Sequence, residues 1–137
     1  EDELIRDILI DIKENKLKTI NEINEEKDII LNNIYNKFIY FKNNKNNKIE
    51  TKKGLDGYKY IKLNELYTGD YIKYLNDKYF YDITLSRGGF VTNINNNMIE
   101  ILNNNIYFKL NINNYIIFKK ITKDECVKLL ILENLGK

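Results

Sequence analysis

The residue types that most enzymes use for nucleophilic and metal chemistry are scarce in this chain. Its 137 residues include no histidine and one cysteine, Cys126. Without an imidazole, neither a Ser-His-Asp nor a Cys-His system can form, and one thiol alone does not hold a zinc ion. A single cysteine forms no intrachain disulfide, which fits an intracellular, reducing compartment. Cys126 falls on the apolar face of a predicted helix, where a cysteine usually fills the core.

Three carboxylates near predicted loops, Asp70, Asp77 and Asp82, are the remaining candidates for catalysis. Two carboxylates can serve as acid and base in hydrolysis. Nothing in the sequence fixes the separation of these three, and an Asp beside a Gly is ordinary turn chemistry. We therefore predict a protein that is not an enzyme and that uses no cofactor and no metal.

Anion binding is the chemistry that the sequence does offer. Arg87 is one of two arginines in a lysine-rich chain. It precedes two glycines, so a bidentate guanidinium lies beside potential backbone N–H donors. A lysine-rich stretch lies earlier in the chain. The candidates for binding nucleic acid or another anion are Lys45, Lys48, Lys52, Lys53, Arg87, Gly88 and Gly89. The alternative is a solvated linker and an exposed turn.

Tyrosines are dense in the second half of the chain, where nine of the eleven lie between residues 58 and 115. Exposed tyrosines interleaved with lysines can stack bases or hold a cation. Residues 61–120 carry a net charge of only +2, however. Asn and Ile each occur 23 times, which is typical of an AT-rich genome, and this bias with strand propensity explains the tyrosines equally well.

Residues 1–42 are predicted to form one long, coiled-coil-like helix, because apolar residues recur at steps of three and four. The phase of this pattern slips near residues 15–19, so two helices that meet near residues 14–21 are the alternative. We favour one helix that self-associates or docks on a partner protein. Its contact stripe is Ile20, Ile23, Ile30, Ile34, Phe38 and Phe41.

Residues 43–57 are predicted to be a basic linker, because they are polar and rich in Lys, Asn and Gly. Charge changes sign at this point. Residues 1–40 carry a net charge of −4, and residues 41–60 carry +4. The acidic helix and the basic linker therefore favour binding partners of opposite charge.

From residue 58 to residue 137 the pattern predicts a small barrel and a final helix. Apolar residues alternate, and one face of a strand holds Phe90, Thr92 and Ile94. Asn-rich turns fall at residues 95–97, 103–105 and 113–114. Five or six strands, each beside its sequence neighbours, predict an antiparallel meander closed into a barrel. Thr122 and Glu125 form a capping-box pattern that begins the last helix, which would cover the barrel.

Two motifs carry a family resemblance: Leu66-x-x-Gly69-Asp70-Tyr71-Ile72-Lys73-Tyr74-Leu75 and Gly88-Gly89-Phe90-Val91. Through them, residues 63–121 resemble small SH3-like β-barrel domains encoded by large AT-rich DNA viruses. Residues 115–118 lack the tryptophan of that family's last strand. The resemblance implies a barrel with a binding or virion-associated role, and it brings no catalytic residues.

The predicted fold is therefore α+β, with a long N-terminal helix before a small antiparallel SH3-like β-barrel and a C-terminal helix. The predicted function is a structural, assembly or protein-interaction module, in which the helix oligomerises or docks and the barrel binds a partner. The alternative is a nucleic-acid-binding protein that uses the basic linker and the Tyr, Lys and Arg surface of the barrel. No apolar run is long enough to span a membrane, so no membrane partner is expected.

Overall fold

The computed structural model describes residues 2–13, 18–36, 44–76 and 83–135. These residues form four helices and one six-stranded antiparallel sheet, which confirms the α+β class. The helices are α1 (Asp2–Lys13), α2 (Ile20–Asn36), α3 (Asn44–Gly54) and α4 (Lys123–Leu135). The strands are β1 (Tyr58–Tyr60), β2 (Tyr71–Leu75), β3 (Gly89–Asn95), β4 (Met98–Asn103), β5 (Ile106–Asn111) and β6 (Ile116–Lys120).

The strand order of the sheet is β1-β6-β2-β3-β4-β5. Strands β2 to β5 form the predicted meander, but β6 returns to pair with both β1 and β2. The prediction that every strand pairs with a sequence neighbour was wrong for β6, because alternation marks a strand without naming its partner. Among the described strands β1 and β5 are the edges, so the sheet is open and the predicted SH3-like barrel is not confirmed.

The sheet is strongly curved. Three strand spacings separate β2 from β5, which is about 14 Å in a flat sheet. The rings of Tyr74 on β2 and Phe108 on β5 nevertheless lie 6.2 Å apart between centroids. Curvature of the sheet accounts for this approach, and the two rings lie on its concave face. The concave core is Ile61, Leu66, Ile72, Val91, Ile99, Ile101, Leu110 and Ile117.

Helices α2 and α3 pack on part of the opposite, convex face. Side chains of β1, β6 and β2 meet the helices there, because Phe118 and Leu75 cluster with Leu31 of α2 and with Leu55, which follows α3. All four side chains are at most 1 % exposed. The helix layer therefore covers one half of the convex face.

Asparagine turns connect the strands of the meander. Asn104 and Asn105, between β4 and β5, have φ of 50° and 65°. Asn96, between β3 and β4, has φ of 54°. Asn tolerates this left-handed geometry, and two such residues in a row match the twist of a tight hairpin. The turns predicted at residues 95–97 and 103–105 are confirmed.

A β-bulge in β3 changes which side chains face the concave core. Asn93 pairs with Glu100 and Val91 with Ile101, so Thr92 is the extra residue. The Thr92 hydroxyl donates to the main-chain carbonyl of Glu100 at 3.2 Å. The prediction that Phe90, Thr92 and Ile94 share one face was wrong for Ile94, because the bulge shifts the alternation and Ile94 packs against the concave core.

The predicted long N-terminal helix is interrupted, since residues 18 and 19 are not helical. Thr19 begins α2 with a capping box. The Glu22 N–H donates to the Thr19 hydroxyl at 3.1 Å, and the Thr19 N–H donates to the Glu22 carboxylate at 3.4 Å. These bonds satisfy donors at a new helix start, which favours the alternative of two helices.

The predicted basic linker is a helix over most of its length, and the prediction of a linker was wrong at Asn44–Gly54. Propensity alone does not favour a helix there, because Asn and Lys surround few apolar residues. Tertiary contacts explain it. Thr51 is buried, and its hydroxyl lies 3.0 Å from the hydroxyl of Tyr35 on α2. The residue after the helix, Leu55, is also fully buried.

Helix α4 begins as predicted, with the Glu125 N–H donating to the Thr122 hydroxyl at 3.2 Å. It does not cover the concave core. It lies against α1 and β1 instead, where Lys128 pairs with Asp11 and Glu125 with Lys59. Cys126 is exposed, so the prediction of a buried thiol was wrong. No helix in the described part of the chain has the length and apolar character needed to cross a bilayer.

Candidate nucleic-acid interface

A row of large side chains crosses the uncovered half of the convex face. Tyr71 of β2 pairs with Phe90 of β3, Phe90 pairs with Leu102 of β4, and Leu102 pairs with Tyr107 of β5. Residues directly opposite in a sheet point to the same face. The four side chains therefore form one line across four strands, called here the cross-strand row.

Tyr71 is the fixed end of the cross-strand row. Its ring meets the Phe90 ring edge-to-face, with centroids 4.8 Å apart and planes at 78°. The ammonium of Lys120 lies 5.8 Å from the Tyr71 ring centroid. The Tyr71 hydroxyl donates to the main-chain carbonyl of Arg87 at 3.3 Å. Arg87 is thereby held beside the row.

The other aromatic rings of the row are open to solvent. Phe90 is 53 % exposed and Tyr107 is 62 % exposed, because no described helix packs over β3, β4 and β5. Exposed aromatic rings on a sheet provide π faces on which bases stack without strict sequence preference. Two strand spacings separate these rings, about 10 Å along the row.

Cations surround the cross-strand row. Arg87, Lys109 and Lys120 are all exposed. Glu100 lies on the same face, directly opposite Lys109 on the neighbouring strand, and its carboxylate accepts a 2.9 Å hydrogen bond from the Thr92 hydroxyl. The region around the rings therefore carries more positive than negative charge, which suits a phosphate backbone.

Helix α3, which holds the predicted lysines of residues 43–57, ends at the border of this face. Helix α3 ends at Gly54, whose carbonyl accepts from the Lys73 ammonium at 2.8 Å. Lys73 is two residues from Tyr71 and shares its side of the sheet. Lys52 and Lys53 in the last turn of α3 are exposed, and both line a cavity on the α2 side of that helix rather than the cross-strand row.

Two of the predicted lysines of α3 contact α2. Lys45 lies in the first turn of α3. Lys48 donates to the side-chain carbonyl of Asn32 on α2, and Lys52 pairs with Asp28 of the same helix at 3.0 Å. Part of the basic charge of α3 is thus directed toward α2 rather than toward the cross-strand row.

Packing accounts for both glycines after Arg87. A Cβ at Gly88 would lie 2.6 Å from the Tyr71 ring, and the φ of Gly88 is +107°. A Cβ at Gly89 would lie 2.3 Å from a methyl carbon of Ile101 in the concave core. The two glycines let β3 pass between the Tyr71 ring on one side and the concave core on the other.

The predicted oligomerisation stripe packs within the chain where it is described. Ile23 and Ile34 are 5 % and 2 % exposed, and Ile30 packs against the convex-side core. Ile20 is half-buried. The described part of the stripe therefore does not offer a free apolar face to a second helix. The remaining two residues, Phe38 and Phe41, lie outside the described residues.

Asp70 has a structural explanation among the three carboxylates considered for catalysis. It pairs with Lys119 at 3.3 Å and accepts from the Tyr67 N–H at 2.8 Å, which fixes the turn before β2. Asp77 and Asp82 lie outside the described residues.

Sequence reasoning named Arg87 and the tyrosines but missed Phe90, because its face depends on the bulge. It also missed Lys120 as a partner of Tyr71, since β6 pairs with β2 from a distance in the chain. The pairing of Leu102 with Tyr107 was within reach of the sequence, because the turn at Asn104 fixes that register.

Comparison with protein-family models, with curated protein sequences and with solved structures finds no match to this chain. The resemblance of residues 63–121 to viral SH3-like domains stays a prediction.

Proposed function

We propose that this chain is a non-enzymatic binding protein that holds single-stranded nucleic acid on the uncovered convex face of its sheet. The cross-strand row carries the proposal, because exposed Phe90 and Tyr107 lie in line with Tyr71 across adjacent strands. Arg87, on the border of the row, supplies charge for a phosphate. Bases stack on such rings while basic side chains follow the backbone.

A duplex suits this face less well than a single strand. In a duplex the bases are already stacked and their π faces are hidden, so the rings of Phe90 and Tyr107 would gain nothing. The positive charge of the face is also modest, and nonspecific duplex binding depends on charge. A preference for single strands is therefore the expected signature.

Fluorescence anisotropy with labelled oligonucleotides of about 12 nucleotides tests the proposal. The oligonucleotides are single-stranded RNA, single-stranded DNA and duplex. We expect single strands to bind more tightly than the duplex. Three phosphate contacts, from Arg87, Lys109 and Lys120, predict a slope of log K against log salt of about −2. No binding of single strands at low salt, or equal binding of the duplex, contradicts the proposal.

A second candidate is the assembly module, with self-association through α1 and α4. It is supported by exposed apolar side chains on those helices: Leu9 and Ile10 of α1 are 54 % and 52 % exposed, and Leu130 of α4 is 51 % exposed. Helices α1 and α4 pack on each other through Asp11 and Lys128, so these exposed side chains could contribute to one contact surface. Multi-angle light scattering over a concentration series checks it, and a monomer at every concentration rejects self-association.

A further inference from the structure

A cavity of about 720 Å³ lies between α2 and α3, away from the cross-strand row. Its lining combines basic, acidic and apolar side chains from both helices and from the segment after α3. The lining residues are Asn24, Lys27, Asp28, Leu31, Ile49, Lys52, Lys53, Leu55 and Asp56. Its size is in the range of small-molecule sites.

Lys27 is the unusual residue of this cavity, because it is a buried cation that is only 8 % exposed. Its ammonium donates to the carbonyl of Leu55 at 3.0 Å, and that carbonyl also accepts from the Tyr58 N–H at 3.0 Å. An ammonium has three N–H donors. Within the described part of the chain, Lys27 therefore donates its hydrogen bond to a neutral carbonyl that also accepts from Tyr58.

The nearby carboxylates do not compensate the burial of Lys27. Burial lowers the pKa of Lys27, and although Asp56 and Asp28 act to raise this pKa, burial outweighs them. Asp28 is also paired with Lys52, at 3.0 Å between Nζ and Oδ1. The cavity therefore holds a buried positive charge that an additional anion would stabilise.

The cavity also has an apolar wall. Leu31 and Leu55 are fully buried beneath it, and Ile49 stands 52 % exposed on an otherwise polar helix. Lys53, at the rim, is exposed. A ligand that suits this lining has an anionic group for the amines and a hydrocarbon body for the wall.

We propose that the cavity between α2 and α3 binds a small amphipathic anion. A carboxylate, phosphate or sulfonate oxygen accepts from the Lys27 ammonium, and Lys53 adds charge at the rim. The hydrocarbon part of the ligand packs against the exposed Ile49, above the buried Leu31 and Leu55. This site does not depend on the proposed nucleic-acid interface, since it shares no residue with the cross-strand row.

The probe for this site is 8-anilinonaphthalene-1-sulfonate, whose fluorescence rises in apolar surroundings and whose sulfonate supplies the anion. We expect saturable binding to the full chain that phenyl phosphate displaces and uncharged benzyl alcohol does not. Lys27→Met removes the charge and keeps the length of the side chain, so affinity should fall about tenfold or more. Lys123→Met, at an exposed lysine of α4, is the matched control and should leave affinity unchanged.

Ile49→Ser tests the apolar wall at an exposed position, where the substitution should not affect folding. Ile106→Ser, at an exposed position on the edge strand β5, is its control. We expect the first to weaken binding severalfold and the second to have no effect. Circular dichroism of each variant monitors the fold. Unchanged affinity in either Lys27→Met or Ile49→Ser overturns the proposal, and so does equal displacement by benzyl alcohol. If Lys27→Met does not fold, the outcome with Ile49→Ser decides.

Discussion

Replacing Phe90 by Ala is the sharpest test of the nucleic-acid interface. The ring is 53 % exposed and touches Tyr71 edge-to-face, so its removal leaves both cores in place. The lost aromatic contact is worth about 0.5–1.5 kcal/mol of stability. A typical domain has about 5–15 kcal/mol of unfolding free energy, so the variant stays folded.

The expected loss of affinity follows from base stacking. One base on an exposed aromatic ring contributes about 1–3 kcal/mol by alanine substitution. At about 1.4 kcal/mol per tenfold, Phe90→Ala should weaken single-strand binding by about 5- to 150-fold. Tyr107→Ala, two strands away, should cost a similar factor. Because one strand passes over both rings, the double variant should lose more affinity than either single variant.

Tyr67→Ala is the matched control in the same anisotropy titration. Tyr67 is 65 % exposed, slightly more than Phe90, but its ring lies 5.7 Å from the ammonium of Lys119, which pairs with concave-facing Ile72. An effect of aromatic content in general would weaken binding equally in both variants. Equal affinities for wild type and Phe90→Ala, or equal losses in Phe90→Ala and Tyr67→Ala, would refute the stacking argument.

Three further substitutions test the fold. Gly88→Ala places a Cβ 2.6 Å from the Tyr71 ring at a positive φ. We therefore expect the unfolding free energy in urea titrations to fall by about 2–4 kcal/mol. A loss below about 1 kcal/mol contradicts the packing argument. Thr19→Ala removes the N-cap of α2 and should cost about 1 kcal/mol by thermal unfolding, whereas an unchanged midpoint argues against the cap. Lys27→Met removes a buried charge and should raise the unfolding free energy at pH 7 in urea titrations. Burial lowers the pKa of Lys27 in the folded state from its ordinary value of 10.5. Wild type should therefore gain stability relative to Lys27→Met as the pH rises from that lowered pKa toward 10.5. If the difference in unfolding free energy between the two proteins does not change with pH, this explanation is rejected.

The sequence predicted the class of the fold and its local turns because those features depend on neighbours in the chain. Asn104 and Asn105 have the left-handed backbone that their side chains tolerate, and Thr122 caps α4 as its spacing with Glu125 indicated. The capping box of Thr19 and Glu22 is equally local, and its spacing in the sequence marks a second helix start in the N-terminal segment.

Other features depended on tertiary contacts and were beyond the sequence. Helix α3 exists against poor propensity because Thr51 and Leu55 are buried. The position of β6 between β1 and β2 came from pairing across the chain, which placed Lys120 over Tyr71. Arg87 and the tyrosines were therefore predictable as residue types and the Leu102–Tyr107 pairing from the turn between β4 and β5, but the placement of Phe90 and Lys120 beside Tyr71 was not.

The bulge at Thr92 connects the core to the candidate interface. Val91 is 1 % exposed in the concave core. In a strand with strict alternation, Phe90 and Ile94 would lie on the same face, opposite Val91. The extra residue lets Val91 and Ile94 both face the concave core while Phe90 faces outward. A polar residue such as Asn would meet the needs of folding at an outward position, as exposed Asn93 does on the same strand. The core therefore does not require a phenylalanine at position 90, and under the proposed function the ligand would cover this exposed ring, which lies in line with Tyr107.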